Sequence, residues 1–204
     1  MFANLDKLIE PARIIALLFT IISHELAHGY IALANGDNTA KNAGRLSLNP
    51  FIHLDPVGTL TMVFFQFGWA KPVPINPMKF RNRKSGMLTV SLAGVSVNVI
   101  FAALSIYLLS ILPHDQIFLR TLLFNIAIYG VAFALFNLLP IPPLDGSKVV
   151  MTFLPFKWTM WIYRHEYIFY FFLMFLVASG LINDFLSPLI IRMLNGMIQV
   201  FSVG

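Results

Sequence analysis

Long apolar runs separated by short polar segments make up most of the chain. Three runs, residues 12–34, 86–112 and 118–139, exceed the ~20 residues that a helix needs to cross a hydrocarbon core of about 30 Å. Pro11 stands directly before the first run and Asn35-Gly36 directly after it, which are typical start and stop signals of a helix. The pattern therefore predicts three transmembrane helices before the C-terminal part of the chain.

The C-terminal part has a weaker pattern. Residues 166–182 are apolar and are predicted to form a fourth span. Residues 187–203 are also apolar but include Arg192 and Asn195, which is consistent with either an amphipathic surface helix or a weak fifth span. The third run ends differently from the others, because the proline-rich stretch 137–146 breaks its helix before a new helix begins.

Residues 37–85 do not have the pattern of an ordinary span. Within them, residues 39–50 alternate polar and apolar positions and carry glycine and proline, which predicts a short strand or hairpin. Residues 56–69 are apolar but number only about 14, and this length favours a re-entrant or interfacial segment over a crossing. A proline-rich connector at 71–77 then leads to a dense basic cluster at 79–84.

The composition is that of a membrane protein. Hydrophobic residues make up 58% of the sequence, charged residues only 11%, and the mean hydropathy is +0.77. We therefore expect an all-α polytopic membrane protein with four to five transmembrane helices plus a re-entrant or β-hairpin segment between the first two. A single domain, residues 1–204, is expected, with a core at 12–150 and C-terminal helices at 166–203. Because the chain has no cysteine, any metal must be held by histidine, carboxylate and water.

The basic residues predict the orientation of the chain. The net charge is +5, but these residues cluster between apolar runs, which favours membrane topology and contact with anionic lipid over binding of nucleic acid. We expect the N-terminus outside and the polar motifs towards the cytoplasmic side of a prokaryotic inner membrane. Ten of the fourteen Lys and Arg residues then lie on the cytoplasmic side: Lys41, Arg45, Lys71, Lys79, Arg81, Arg83, Lys84, Lys148, Lys157 and Arg164.

The first apolar run contains the sequence His24-Glu25-Leu26-Ala27-His28, an HExxH pattern. Residues four apart lie on one face of a helix, so His24 and His28 can offer two imidazole nitrogens to one Zn²⁺, with Glu25 beside them as a candidate general base. The pattern alone also occurs by chance in soluble helices. In lipid, however, two histidines and a glutamate are costly unless they have a function. The setting therefore favours a metal site.

Asp145 is the strongest candidate for a third ligand, which a catalytic zinc site needs beside an open position for water. The spans 86–112 and 118–139 contain no His, Asp or Glu, and Asp145 is the only carboxylate between Thr121 and Phe156. It follows a helix break, which can re-aim a side chain into a buried or water-filled site. Asp145 could instead cap the helix that follows. Opposite an intramembrane HExxH motif we favour the ligand role.

Two motifs in this order resemble those of the site-2 protease family of intramembrane zinc metalloproteases: the HExxH of the first span, and Asn137-Leu-Leu-Pro-Ile-Pro-Pro-Leu-Asp145-Gly146 in a later one. Three further stretches, 44–50, 53–59 and 67–74, resemble the short prokaryotic branch of that family. The likeness covers roughly residues 12–150. The chain has no room for the PDZ domain that many bacterial relatives carry, which leaves the means of substrate selection open.

The resemblance implies a zinc ion held by His24, His28 and Asp145. It also implies hydrolysis of a peptide bond within or near a transmembrane segment of a substrate protein, with Glu25 as the general base for a zinc-bound water. Zinc lowers the pKa of such a water towards ~7 and polarises the scissile carbonyl. The expected partners are a transmembrane protein or peptide substrate and the lipid bilayer, with no nucleic acid.

The resemblance further implies polar contacts to the substrate. Gly94 to Asn98 matches a family element thought to help hold the substrate, and Asn137 matches an asparagine suggested to steady the oxyanion. The small and polar residues around Asn98 recur at helical spacing, and close helix packing explains that spacing as well.

The segment between the first two spans offers three further candidates. Gly44 and Arg45 lie in the strand-like residues 39–50, which could pair with an unwound substrate by β-addition; a plain amphipathic hairpin is an equal alternative. His53 lies near the presumed mouth of the site, where it could control access of substrate or water, or serve as a hydrogen-bonded structural histidine.

Two other classes of function use the same residues. The chain could be a metal-binding scaffold that holds helices without cutting them, although the presence of all three ligands and of Glu25 argues against this. It could also be a cation transporter that uses the ligands as a transit site. A transporter more often shows paired broken helices in two related halves, and the sequence contains no such repeat.

Overall fold

The computed structural model describes residues 2–55, 58 and 71–202. Within these residues the chain forms eight α-helices joined by turns and two short 3₁₀ helices, Pro50–Ile52 and Pro77–Lys79. The α-helices are α1 (Phe2–Ala34), α2 (Thr39–Asn42), α3 (Arg83–Ile111), α4 (Ile117–Asn137), α5 (Asp145–Met151), α6 (Phe156–Arg164), α7 (Glu166–Ala178) and α8 (Leu181–Ser202).

Helices α1, α3 and α4 pack against one another and form the central bundle. All three are long enough and apolar enough to cross a membrane, which confirms the three predicted spans and makes the protein an all-α polytopic membrane protein. Fully buried small side chains, such as Ala16, Ala102 and Ala127, lie at these interfaces. In lipid, small residues allow helix backbones to approach closely, and van der Waals contact then holds the bundle together. Helix α1 extends through Pro11 to Phe2, so Pro11 is not its first residue as expected.

The C-terminal helices differ from the prediction. The fourth span was expected at residues 166–182, but α7 ends at Ala178 and its 13 residues measure only about 20 Å, too short to cross a membrane unaided. Helix α8, the predicted weak span, is instead the fourth helix with the length and apolar character of a span. Its first half lines a cavity of about 350 Å³ together with Phe133 of α4, and its end brings Phe201 within 5.6 Å (ring centroids) of Tyr107 of α3. Helix α8 therefore runs along the length of the bundle.

The chain leaves α1 and enters α3 at the same end of the bundle. The backbone N–H of Arg81 donates to the carbonyl of Asn35 (2.9 Å), and the Asn35 amide donates to the hydroxyl of Thr89 on α3 (3.1 Å). The predicted re-entrant segment 56–69 lies outside the described residues except for Gly58.

The strand or hairpin predicted for residues 39–50 is wrong. The residues form the short helix α2, a turn and the start of a 3₁₀ helix, with no strand among them. Gly44 has a φ of +66° and ends α2, with hydrogen bonds from Gly44 N–H to the Lys41 carbonyl and from Arg45 N–H to the Ala40 carbonyl. This is the Schellman arrangement of a helix C-terminus. The glycine that suggested a hairpin turn is therefore a helix cap.

Asp37 connects the end of α1 to the connector that precedes α3. It is fully buried, and its carboxylate accepts hydrogen bonds from the backbone N–H groups of Thr39 (2.9 Å) and Asn76 (2.6 Å) and from the Thr39 hydroxyl. Burial alone would raise the pKa of Asp37, but these hydrogen bonds and the charge of Lys79 outweigh it and hold the pKa below its usual value of 3.8. The ionised carboxylate therefore stabilises this junction.

We expect Asp37→Asn to lower the free energy of unfolding by about 2 kcal/mol at neutral pH, because a charged acceptor of several buried hydrogen bonds is lost. A carboxyl whose pKa is depressed by folding contributes stability above its unfolded pKa, and that contribution is lost as the pH falls through the folded value. Thermal unfolding of the two proteins should therefore differ at pH 7, and the difference should shrink progressively as the pH falls below about 4. Asp115→Asn, at an exposed turn, is the matched control; a difference independent of pH would contradict the role of the charge.

Candidate metal centre

Helix α1 places His24 and His28 one turn apart on the face that packs against α3 and α4. Both rings are buried, with 2% and 5% of the residue surface exposed. The two Nε2 atoms lie 2.9 Å apart, and the rings stand almost perpendicular, with an interplanar angle of 84°. The HExxH spacing thus directs two imidazole nitrogens at one point inside the bundle, as the helical periodicity predicts.

Asp145 approaches the same point from the other side. The break after α4 makes it the first residue of α5, and its Oδ2 lies 3.1 Å from Nε2 of His24 and 2.9 Å from Nε2 of His28. Only 4% of its surface is exposed. Leu144, not Asp145, occupies the N-cap position of α5, and no side chain caps that helix. The alternative that Asp145 serves as a helix cap is therefore excluded.

The three converging atoms form a ligand set that suits a cation. Nδ1 of His28 lies 2.7 Å from the carbonyl of Val90, which can only accept, so Nδ1 carries a proton and, in the neutral ring, Nε2 presents a lone pair. That lone pair faces a carboxylate oxygen and a second imidazole nitrogen. In a tetrahedral zinc site with bonds of about 2.0–2.1 Å, neighbouring ligand atoms lie about 3.3 Å apart, close to the distances found here. The residues His24, His28 and Asp145 can therefore hold a metal ion.

Lys148 forms an ion pair with the other carboxylate oxygen of Asp145. Its Nζ lies 2.8 Å from Oδ1, one turn along α5, so Oδ2 alone faces the two imidazoles. This contact favours a carboxylate that binds a metal through one oxygen. The spacing of three residues within a helix is a sequence signal for such a pair.

Glu25 follows His24 and contacts the proline-rich connector. Its Oε2 accepts a hydrogen bond from the backbone N–H of Val73 (2.8 Å). A backbone donor 48 residues away has no signature in the sequence, and this contact was not foreseen. The side chain of Val73 is buried and packs near Gly29 of α1. The connector therefore lies against the helix that carries the HExxH motif.

The structure brings Arg45 and His53 to the same connector. The guanidinium of Arg45 donates to the carbonyl of Lys71 (2.7 Å), and the carbonyl of His53 accepts from the N–H of Lys71 (2.8 Å). The buried ring of His53 donates through Nε2 to the carbonyl of Ser47 (2.8 Å). These contacts support the structural interpretation of His53. Gly44 acts as the cap of α2, and direct contact of Gly44, Arg45 or His53 with a substrate stays a prediction.

The two asparagines occupy different positions. The Asn98 amide is buried and lies 3.2 Å from Nδ1 of His24, so the structure joins it to the metal centre. Asn137, at the end of α4, donates to the carbonyl of Phe133 in its own helix (3.0 Å). The oxyanion role of Asn137 stays a prediction. Phe133 itself packs edge-on against the His24 ring, 5.0 Å between centroids, and was not predicted.

Comparisons with known proteins identify the family. A family model described as "Peptidase family M50" matches residues 113–180, which include Asn137 and Asp145. A protein of Bacillus subtilis (strain 168) named "Putative zinc metalloprotease YwhC" is 39% identical over 159 residues, which cover 71% of this chain and 70% of that protein. No solved structure matches the chain. With the membrane-spanning bundle and the buried His-His-Asp cluster, these matches show that the chain belongs to peptidase family M50, the site-2 protease family, and is a zinc metalloprotease of the membrane.

Proposed function

We propose that the protein hydrolyses peptide bonds within or near transmembrane segments of other membrane proteins, with zinc held by His24, His28 and Asp145. One observation carries this proposal: two imidazole nitrogens and one carboxylate oxygen lie within 3.1 Å of one another inside a bundle of membrane-spanning helices. The name of the relative YwhC describes a zinc metalloprotease, which supports zinc as the metal.

Glu25 is the proposed general base. Zinc, when bound, would supply a water of lowered pKa and polarise the scissile carbonyl. Glu25 would accept a proton from the attacking water and deliver it to the leaving amine. The N–H of Val73 holds Oε2 of Glu25, which leaves Oε1 to carry the proton. The carbonyl of Val90 holds the His28 ring, and Lys148 holds Asp145, so the chain fixes both groups before a substrate binds.

The substrate is proposed to be an unwound segment of a transmembrane helix. A helix hides its backbone in internal hydrogen bonds, so the peptide must lose helical structure before attack, and lipid cannot supply replacement partners. The metal centre lies near the end of the bundle where α1 ends and α3 begins, and that end carries Lys79, Arg81, Arg83 and Lys84. By the positive-inside rule we place this end, and the active site, towards the cytoplasm of a prokaryotic inner membrane.

The test uses the purified full-length chain in lipid vesicles. We expect about one zinc per chain by elemental analysis, and cleavage of a reporter protein with a single transmembrane helix. A chelator should stop cleavage, and added zinc should restore it. Zinc-loaded protein that leaves several reporter helices intact would instead indicate a scaffold. Uptake of zinc into vesicles without cleavage would indicate a transporter.

We expect Val73→Pro to lower kcat about 10-fold or more with the zinc content unchanged. Proline has no N–H, so the substitution removes the donor that holds Oε2 of Glu25. A hydrogen bond to a charged group contributes about 1.5–3 kcal/mol, which corresponds to a factor of 10 or more in rate if it positions the base. Zinc content and cleavage of the reporter are measured together on each protein.

The control for Val73→Pro is Val73→Ala. It trims the buried side chain but keeps the N–H, so we expect a loss in kcat below about threefold. Equal losses for the alanine and proline variants would show that packing of the connector, rather than the hydrogen bond to Glu25, accounts for the effect.

A further inference from the structure

Helix α3 contributes no metal ligand, yet two of its residues enclose the His24 ring. A Cβ added to Gly94 would lie 2.5–2.6 Å from three atoms of this imidazole, so the ring occupies the space that any other residue would fill. Phe133 of α4 contacts the ring from another direction. The His24 ring is thus fixed by packing, and its remaining freedom is the choice of which nitrogen carries the proton.

Asn98 lies one turn beyond Gly94 and is in contact with His24. Its Nδ2 lies 3.2 Å from Nδ1 of His24, whereas its Oδ1 is buried and has no hydrogen-bond partner among the described residues. Only 1% of the residue surface is exposed. A side chain this deeply buried offers little surface to a peptide substrate. Its Oδ1 is a buried acceptor, and a buried acceptor normally has a hydrogen-bond donor.

Metal binding by His24 would provide a donor for Oδ1 of Asn98. A histidine that binds a metal through Nε2 carries its proton on Nδ1, which then can only donate. The Nδ2 group of Asn98 also only donates, so the two cannot form a hydrogen bond in that state. A half-turn of the amide exchanges its oxygen and nitrogen and brings the unpartnered Oδ1 to Nδ1 of His24. That orientation satisfies both groups.

We propose that Asn98 is a positioning residue for His24: its Oδ1 accepts the Nδ1 proton and thereby selects the tautomer whose Nε2 binds zinc. The proposal rests on the proposed function, because it takes His24 as a zinc ligand. It differs from the role that the family resemblance suggested for this asparagine, which was to hold the substrate. Gly94 supplies the space that lets the ring reach the amide.

The arrangement at His28 gives an independent precedent within the same molecule. There the partner is the carbonyl of Val90, also on α3 and two turns before Asn98. Both ligand rings are therefore held from one helix at their Nδ1 atoms. The carbonyl that holds His28 cannot be removed by a side-chain substitution, whereas the group that holds His24 can. Of the two groups that hold the imidazole rings at Nδ1, the Asn98 side chain is therefore the one that a substitution can remove without touching a ligand.

The test compares zinc affinity in Asn98→Leu and Asn98→Asp. Leucine has a similar volume and no hydrogen-bond acceptor. We expect it to weaken zinc binding about 10–100-fold, the usual effect of losing a residue that hydrogen-bonds to a metal ligand. Aspartate keeps an acceptor and cannot donate, so we expect affinity within about threefold of the wild type. The dissociation constant is measured by competition with a chromophoric zinc chelator on the purified full-length chain. Asn125→Leu, whose amide donates to Thr121 in its own helix, is the control.

The outcomes separate this proposal from the proposed function. Wild-type protein that binds no zinc would overturn both. Zinc-binding wild type with unchanged affinity in Asn98→Leu, and a raised KM, would overturn only the proposal and favour a substrate contact. Equal weakening in the leucine and aspartate variants would show a merely structural role. If the leucine variant does not fold, the aspartate variant decides alone: retention of zinc supports the proposal, and loss of zinc overturns it.

Discussion

Replacing Glu25 with glutamine is expected to reduce kcat by about 10²–10⁴-fold while zinc content stays at the wild-type level. Glutamine keeps the size of the side chain and an oxygen that can accept from the N–H of Val73, so the group stays in place. It cannot accept the proton of the attacking water at neutral pH. The substitution therefore removes the base and little else. Cleavage of the reporter helix and elemental zinc are measured on the same preparation.

Glu166→Gln is the matched control for this experiment. Glu166 is an exposed carboxylate at the start of α7, and its loss should leave cleavage unchanged. If Glu25→Gln cleaves the reporter as fast as the wild type, Glu25 is not the base. If the variant loses zinc as well, the fall in kcat reports a damaged metal centre. In that case the role of Glu25 is not limited to proton transfer.

Replacing Asp145 with asparagine is expected to weaken zinc binding by more than about 100-fold. This exceeds the usual effect of losing a residue that contacts a metal ligand but not the metal itself. The change keeps the volume of the side chain but removes the negative charge that faces two imidazole nitrogens, and it breaks the ion pair with Lys148. Cleavage should fall in parallel. Zinc affinity is measured by chelator competition, and the thermal midpoint is followed with and without zinc.

The thermal measurement distinguishes loss of metal from loss of fold. Zinc at 100 times its dissociation constant stabilises the wild type by about 2.7 kcal/mol, so its midpoint should rise on addition of zinc and that of Asp145→Asn should not. Asp184→Asn removes another first-turn carboxylate, from the exposed start of α8, and should behave as the wild type. Normal zinc affinity in Asp145→Asn would exclude Asp145 as a ligand.

Much of the bundle could be predicted because its signals are local. The bounds of α3 and α4 lie within about three residues of the predicted spans, since hydrophobic length is set by the membrane. His24 and His28 share a face because of helical periodicity. Asp145 was found by elimination, since few carboxylates occur in apolar runs. Packing of α1 against α4 and the turn that follows it is then enough to bring the two histidines and Asp145 together.

Other features could not be predicted because the same residue types are compatible with two different local structures. A glycine of positive φ, such as Gly44, suits a hairpin turn and a helix cap equally, and the residues on either side did not decide between them. The hydrogen bond from Val73 to Glu25 uses a backbone group, which every residue but proline carries. The length of α7 depended on where the chain turns at Gly180, and its apolar residues continue past that point.

The two parts of the metal centre lie far apart in the chain, since Asp145 follows His24 by 121 positions. At about 5–20 residues per second, a ribosome needs roughly 6–24 s to make that stretch. During this time the nascent chain carries its histidines through membrane insertion without the carboxylate that completes the cluster. The cluster of His24, His28 and Asp145 can therefore form only after α4 and the turn that follows it have been synthesised.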